Sequence, residues 1–122
     1  DFSLDTPSHR ELEDGHVIPR DRILWYMEQY LRTDADRLDP KASPMRAKDL
    51  AGQPPTMVVT AGFDPLRDEG LAYAERLRSA GVEVTTVHYD SMMHGFVSLA
   101  DFLDDGQAAL SEAAAAVARA LA

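Results

Sequence analysis

Two short segments hold the side chains best suited to chemistry. Asp64 stands in Gly62-Phe63-Asp64-Pro65, and His94 follows 30 residues later in Ser91-Met92-Met93-His94-Gly95-Phe96. A carboxylate set against an imidazole fixes the ring's tautomer and stabilises the imidazolium while the ring shuttles a proton. That is the acid-and-base half of a Ser-His-Asp arrangement. Each residue also has a plainer reading. Asp64, followed by Pro65, makes a good helix N-cap, a role compatible with the first, and His94 can be a polar loop residue. Asp68 reads as a first-turn charge that favours the helix dipole, with backing up the acid as its other use. His88 falls inside a strand and reads as structural or surface-facing, while His9 and His16 lie in a flexible start. No two histidines stand four apart and there is no His-Glu-x-x-His, so no metal site is expected. Gly62 and Gly95 lack a phosphate-loop pattern, so no cofactor is expected either. Trp25, Tyr26 and Met27 read first as packing residues.

The positions of Asp64 and His94 follow from the elements before them. Thr56 to Ala61 is a nearly continuous apolar run rich in β-branched residues, which predicts a strand buried on both faces. A helix is expected over 66–80, opened by Asp64 and Pro65, with Asp68 and Glu69 in its first turns. Arg76 and Arg78 sit near its end and Gly81 stops it. Leu66, Tyr73, Ala74 and Leu77 share one of its faces. Val82 to Tyr89 reads as a second strand, and the loop from Asp90 to Leu99 carries His94. Strand, helix, strand is a right-handed βαβ unit with parallel strands. Both chemical loops then fall at the C-terminal edge of the sheet, where open α/β sheets place their ligands. A last helix over 105–121 carries a stripe of Leu110, Ala114, Val117 and Leu121 and should pack back on the sheet. Upstream, residues 1–19 read as an extended connection. Residues 20–32 read as a helix with Ile23, Leu24, Met27, Tyr30 and Leu31 on one face, and 33–55 as a loop with one turn near Lys48-Asp49-Leu50. The fold class is α/β.

Composition narrows the partners. The 122 residues carry 21 acidic and 12 basic side chains, a formal charge of -9. No basic run exists to neutralise phosphates, so nucleic acid is not an expected partner, and the acidic surface disfavours anionic membranes. Cysteine is absent, which removes disulfides and thiolate catalysis. No apolar stretch is long enough to span a bilayer. No signal peptide is visible, and a cytoplasmic location is the expectation. The chain lacks an initiating Met, and it is expected to be a piece of a longer protein.

The segment Pro54-Pro55-Thr56-Met57-Val58-Val59-Thr60-Ala61-Gly62-Phe63-Asp64-Pro65-Leu66-Arg67-Asp68-Glu69-Gly70 resembles the catalytic-acid region of the hormone-sensitive-lipase-like esterases. Ser91 to Phe96 resembles their catalytic-histidine loop. Ser43-Pro44 and Asp49 to Pro55 resemble the segment before the acid strand, and Leu24 to Leu31 resembles a helix of the cap that helps to enclose the acyl pocket. The resemblance implies the C-terminal part of an α/β-hydrolase fold. Residues 1–55 would be a cap-region segment and connecting loop, and 56–122 the C-terminal part of the catalytic domain. It makes Asp64 and His94 the triad acid and base. It also offers Trp25 and Tyr26 as substrate-binding residues.

One departure is large. That family needs a Gly-x-Ser-x-Gly elbow and a His-Gly-Gly oxyanion loop, and neither occurs in this sequence. Since the triad order there is Ser, Asp, His, the serine belongs before residue 1. The expected function is therefore that of a C-terminal fragment of a serine carboxylesterase acting on small acyl esters and inactive alone. The alternative is a non-catalytic α/β interaction module that kept the scaffold and lost the chemistry. In the full α/β-hydrolase sheet strand 56–61 would pair with an earlier strand that this chain lacks, so it would present an unpaired edge at Met57, Val58 and Val59, and self-association through that edge or by swapping the 1–33 arm is expected.

Overall fold

The computed structural model describes residues 1–15 and 17–122. Its centre is a two-stranded parallel sheet of β1, Thr56–Phe63, and β2, Val84–Met93. Thr56 stands opposite Val84, and the pairing runs in step to Ala61 opposite Tyr89. Helix α3, Arg67–Ser79, makes the crossover, as the strand-helix-strand pattern requires. It stops at Gly81, whose φ of 83° suits glycine. Helix α4, Asp104–Ala120, follows a short 3-10 segment, Phe96–Leu99.

Alternation along β1 sends neighbouring residues to opposite helices. Thr60 lies under α3, its methyl close to Gly70. Ala61 faces the other way, into a cluster with Phe96 and Ala109 that also takes in Val59 and Tyr89. On the α3 side, Leu77 packs with Leu50 and Val82, and Tyr73 and Val84 join them. The sheet is thus clad on both faces, but thinly. Only Thr60 and Ala61 of β1 are buried, so the expectation of a strand covered throughout on both faces does not hold.

Four local readings are corrected. Residues 1–19 are not merely extended, since α1, Pro7–Glu11, forms there with Pro7 in its first turn and Thr6 as N-cap. The 33–55 region contains 3-10 segments at Asp34–Leu38 and Pro44–Arg46, and its turns fall at residues 40–42 and 51–52 rather than at Lys48–Leu50. Asp64 does not cap α3, which begins later, after Leu66. The face of α4 that packs inward is Gly106 and Ala109, while Leu110, Val117 and Leu121 are 48%, 58% and 82% exposed. The reason is the close approach of α4: a Cβ on Gly106 would lie 3.0 Å from the Phe96 carbonyl oxygen, so only a small-residue face fits there. Helix α2, Arg20–Tyr30, shows a similar imbalance, with Met27 buried but Leu24 and Tyr30 exposed.

β2 also runs four residues further than its apolar pattern indicated. Between Ala61 and Phe63 the register breaks: Ala61 faces Tyr89, but Phe63 faces Met93. The extra residues of β2 form a bulge. Gly62 sits against it, and a Cβ there would be 1.9 Å from the Asp90 carbonyl oxygen. Gly62→Ala should therefore force the two strands apart and destabilise the fold by about 1–3 kcal/mol. Urea denaturation checks this, and a midpoint unchanged from that of the unsubstituted chain would contradict it.

Candidate active site

The bulge decides where His94 falls. It brings the His94 N–H within 3.3 Å of the Phe63 carbonyl, so the residue after β2 lies level with the end of β1. Asp64 is the next residue after β1. Its Oδ2 lies 2.9 Å from His94 Nδ1, while its Oδ1 accepts the Leu66 N–H at 2.8 Å. The second contact is a local turn bond, which fixes the carboxylate's rotation. Gly95, at φ 77°, turns the chain away directly after His94.

With the carboxylate ionised, the proton of a neutral His94 belongs on Nδ1. That leaves the Nε2 lone pair for a partner from outside. His94 borders a cleft of about 530 Å³ whose walls include Leu4, Ile23, Tyr26, Leu66 and Tyr73. The hydrogen bond to Asp64 raises the His94 pKa above its ordinary value, against an opposing effect of burial. An imidazole held this way can take a proton at Nε2 and keep the resulting charge beside a carboxylate.

The other residues singled out from sequence fall as follows. Tyr26 lines the cleft; Trp25 does not, and stacks edge-on against Tyr26 at 5.2 Å between ring centroids. Asp68 is not paired with His94. Its Oδ1 accepts from Arg67 Nε and its Oδ2 from the Ser8 N–H, each at 2.8 Å. Burial pushes its carboxyl up, but the hydrogen bonds from Arg67 and Ser8 outweigh this and hold it below its ordinary value. His88 bridges the strands, with Nδ1 2.8 Å from Thr60 Oγ1 and Nε2 3.0 Å from Asp90. His9 is not part of a flexible start: it is 3% exposed, with Nδ1 2.6 Å from Thr6 Oγ1. Burial, together with the positive charge of Arg20, lowers its pKa. His16 lies outside the described residues. Among the described residues no cluster of acidic or histidine side chains is grouped to hold a metal, and no helix is long and apolar enough to cross a membrane. The sequence reading missed Ser8, which is fully buried. A lone serine in a polar stretch gives no signal for that.

A family model described as the alpha/beta hydrolase fold matches residues 1–98. The chain belongs to this family. Among curated relatives, a carboxylic ester hydrolase of Mycobacterium tuberculosis, LipN, is 43% identical over 100 residues, covering 81% of this chain and 27% of the relative. Carboxylesterase NlhH of the same organism is 38% identical over 122 residues, covering 97% of this chain and 38% of the relative. The solved structure of EstE1, a thermostable carboxylesterase cloned from a metagenomic library, superposes with a TM-score of 0.92 at 41% identity, covering 96% of this chain and 40% of that one. The chain thus spans about a quarter to two fifths of the proteins it matches. The α/β-hydrolase fold and the resemblance to hormone-sensitive-lipase-like esterases, both read from the motifs, are borne out.

The pair should be visible by titration. His94 followed by NMR should titrate above the ordinary imidazole value of about 6.5, and Asp64→Asn should lower it. The sign for stability follows. A raised folded-state pKa contributes stability that is complete below about pH 6.5 and is lost as pH rises through the His94 value. A His94 pKa that does not respond to Asp64→Asn would break the assignment.

Proposed function

We propose that this chain supplies the acid and the base of a serine carboxylesterase acting on small acyl esters. The observation that carries the reading is the 2.9 Å contact between Asp64 and His94 Nδ1, with the rest of the ring bordering an apolar cleft. A serine hydroxyl would give its proton to His94 Nε2 as its oxygen attacks the ester carbonyl carbon. His94 then passes that proton to the leaving alcohol, and an acyl-enzyme remains. Water reverses the steps: His94 takes its proton, and returns one to the serine as the acid departs. Asp64 holds the ring and offsets its charge throughout. The serine and the oxyanion donors would come from a part of the protein this sequence does not contain, because it has no Gly-x-Ser-x-Gly and no His-Gly-Gly. In the same reading residues 1–55 are a cap segment and 56–122 the C-terminal part of the catalytic domain, and Tyr26 helps to wall the acyl pocket with Trp25 beside it.

The 122-residue chain should therefore hydrolyse short-chain aryl esters no faster than a control protein. A longer protein carrying the serine elbow should be active, and His94→Ala in it should lower turnover by about three to four orders of magnitude. Undiminished turnover in that variant would sink the reading.

We further propose that the chain associates with itself when alone. β1 has a strand partner on one side only among the described residues, and Phe102, Val117 and Leu121 stand open to water. A few hundred Å² of such surface is worth several kcal/mol at about 25 cal/mol per Å². Light scattering should show oligomers growing with concentration. A monomer at high concentration with one cooperative thermal transition would refute this.

A further inference from the structure

Asp64 is held by more than its own two hydrogen bonds, because the backbone on either side of it is also tied. Two residues before it, the Gly62 carbonyl accepts from Arg67 Nη1 at 3.0 Å. One residue after it, the Pro65 carbonyl accepts from Ser8 Oγ at 2.8 Å. Both donors converge on one carboxylate. Asp68 Oδ1 accepts from Arg67 Nε, and Asp68 Oδ2 accepts from the Ser8 N–H, each at 2.8 Å. The Asp68 N–H closes the loop by donating to Ser8 Oγ at 3.2 Å.

We propose that Ser8, Arg67 and Asp68 are positioning residues that brace the backbone on both sides of Asp64 and make its bond to His94 depend on the docking of α1. The catalytic meaning of the brace rests on the esterase reading above; its structural meaning does not. Three features support it. Ser8 and Pro65 are both fully buried, so no water can replace the serine hydroxyl. Ser8 uses its hydroxyl as donor and acceptor together, and alanine would leave both Pro65 O and the Asp68 N–H without partners. Asp68 lies in the first turn of α3, where a carboxylate usually serves its own helix end. Here both of its oxygens are spent on the groups that hold the Asp64 loop. Relief of two buried, unpartnered groups requires the loop to move, and Asp64 moves with it.

The experiment has two arms. In the 122-residue chain, His94 is titrated by NMR with Ser8→Ala and Arg67→Met, well below each variant's melting temperature. The His94 pKa should fall toward about 6.5 in both. Loss of stability alone would lower the melting point and leave that titration unchanged. In a longer protein with the serine elbow, kcat should fall about ten- to a hundred-fold with KM nearly constant, the signature of a misplaced catalytic group. Arg67→Lys, which keeps the charge and one donor arm, should recover part of both losses. If Ser8→Ala does not fold, Arg67→Met decides, because Arg67 is on the partly exposed side of the brace. Folded variants whose His94 titrates as in the unsubstituted chain overturn the proposal. Turnover that survives His94→Ala would instead remove the esterase reading, and the titration arm would still judge the brace.

Discussion

The close crossing of two backbones at Gly62 governs the geometry of this protein. The Asp90 carbonyl occupies the space that any side chain at position 62 would need. Because it does, β2 can bulge by two residues against β1 and still return to pair at Phe63 with Met93. In unbroken register Phe63 would face Ser91, and His94 would lie three residues beyond the end of β1. With the bulge, His94 draws level with Asp64, and a hydrogen bond becomes possible between residues 30 apart in sequence. The Asp64–His94 contact is therefore set by a backbone approach that neither side chain makes.

Much of this was legible in the residues. The βαβ unit was clear because β1 and β2 are rich in β-branched residues and α3 has good charge placement with a glycine stop. The Asp64–His94 partnership was legible because one helix and one strand return the chain to the same sheet edge. The bulge was not read, although an isolated glycine inside a strand pattern is its usual mark. α4 was misread for a different reason. Periodicity finds the most apolar stripe, yet Gly106 and Ala109 pack inward because the approach is close and only small residues fit. Apolar periodicity predicts burial when size is unconstrained, and the tight contact with Phe96 and Ala100 reverses the preference.

The start of the chain was underread for a third reason. Ser8 and His9 sit among Asp5, Arg10, Glu11 and Glu13, a composition that looks solvated. Their burial comes from polar pairing rather than apolar area: Ser8 with Pro65 and Asp68, His9 with Thr6. Polar cores of this kind leave no hydropathy signal, since the same residue types on a surface would look identical.

His9 and His94 also respond to pH in opposite senses. Burial disfavours a charge on His9 and, with Arg20, holds its pKa below the ordinary imidazole value. What it contributes to docking α1 is complete above about pH 6.5 and is lost as pH falls through its lowered value. His94 is raised by Asp64, and its contribution is lost as pH rises through its higher value. A proton on His9 would place a charge in an enclosed site whose nearest carboxylate, Glu69, is 3.9 Å from its Nε2. That distance is beyond hydrogen-bond reach, so the carboxylate offsets the burial cost only in part. Helix α1 carries Ser8 as well as His9, so on the proposed brace acid that loosened α1 would also take its donor from the Pro65 carbonyl, on the loop that holds Asp64. Acid therefore acts on the support of the pair, while rising pH removes only the charge on the His94 ring and leaves its Nδ1 proton hydrogen-bonded to Asp64.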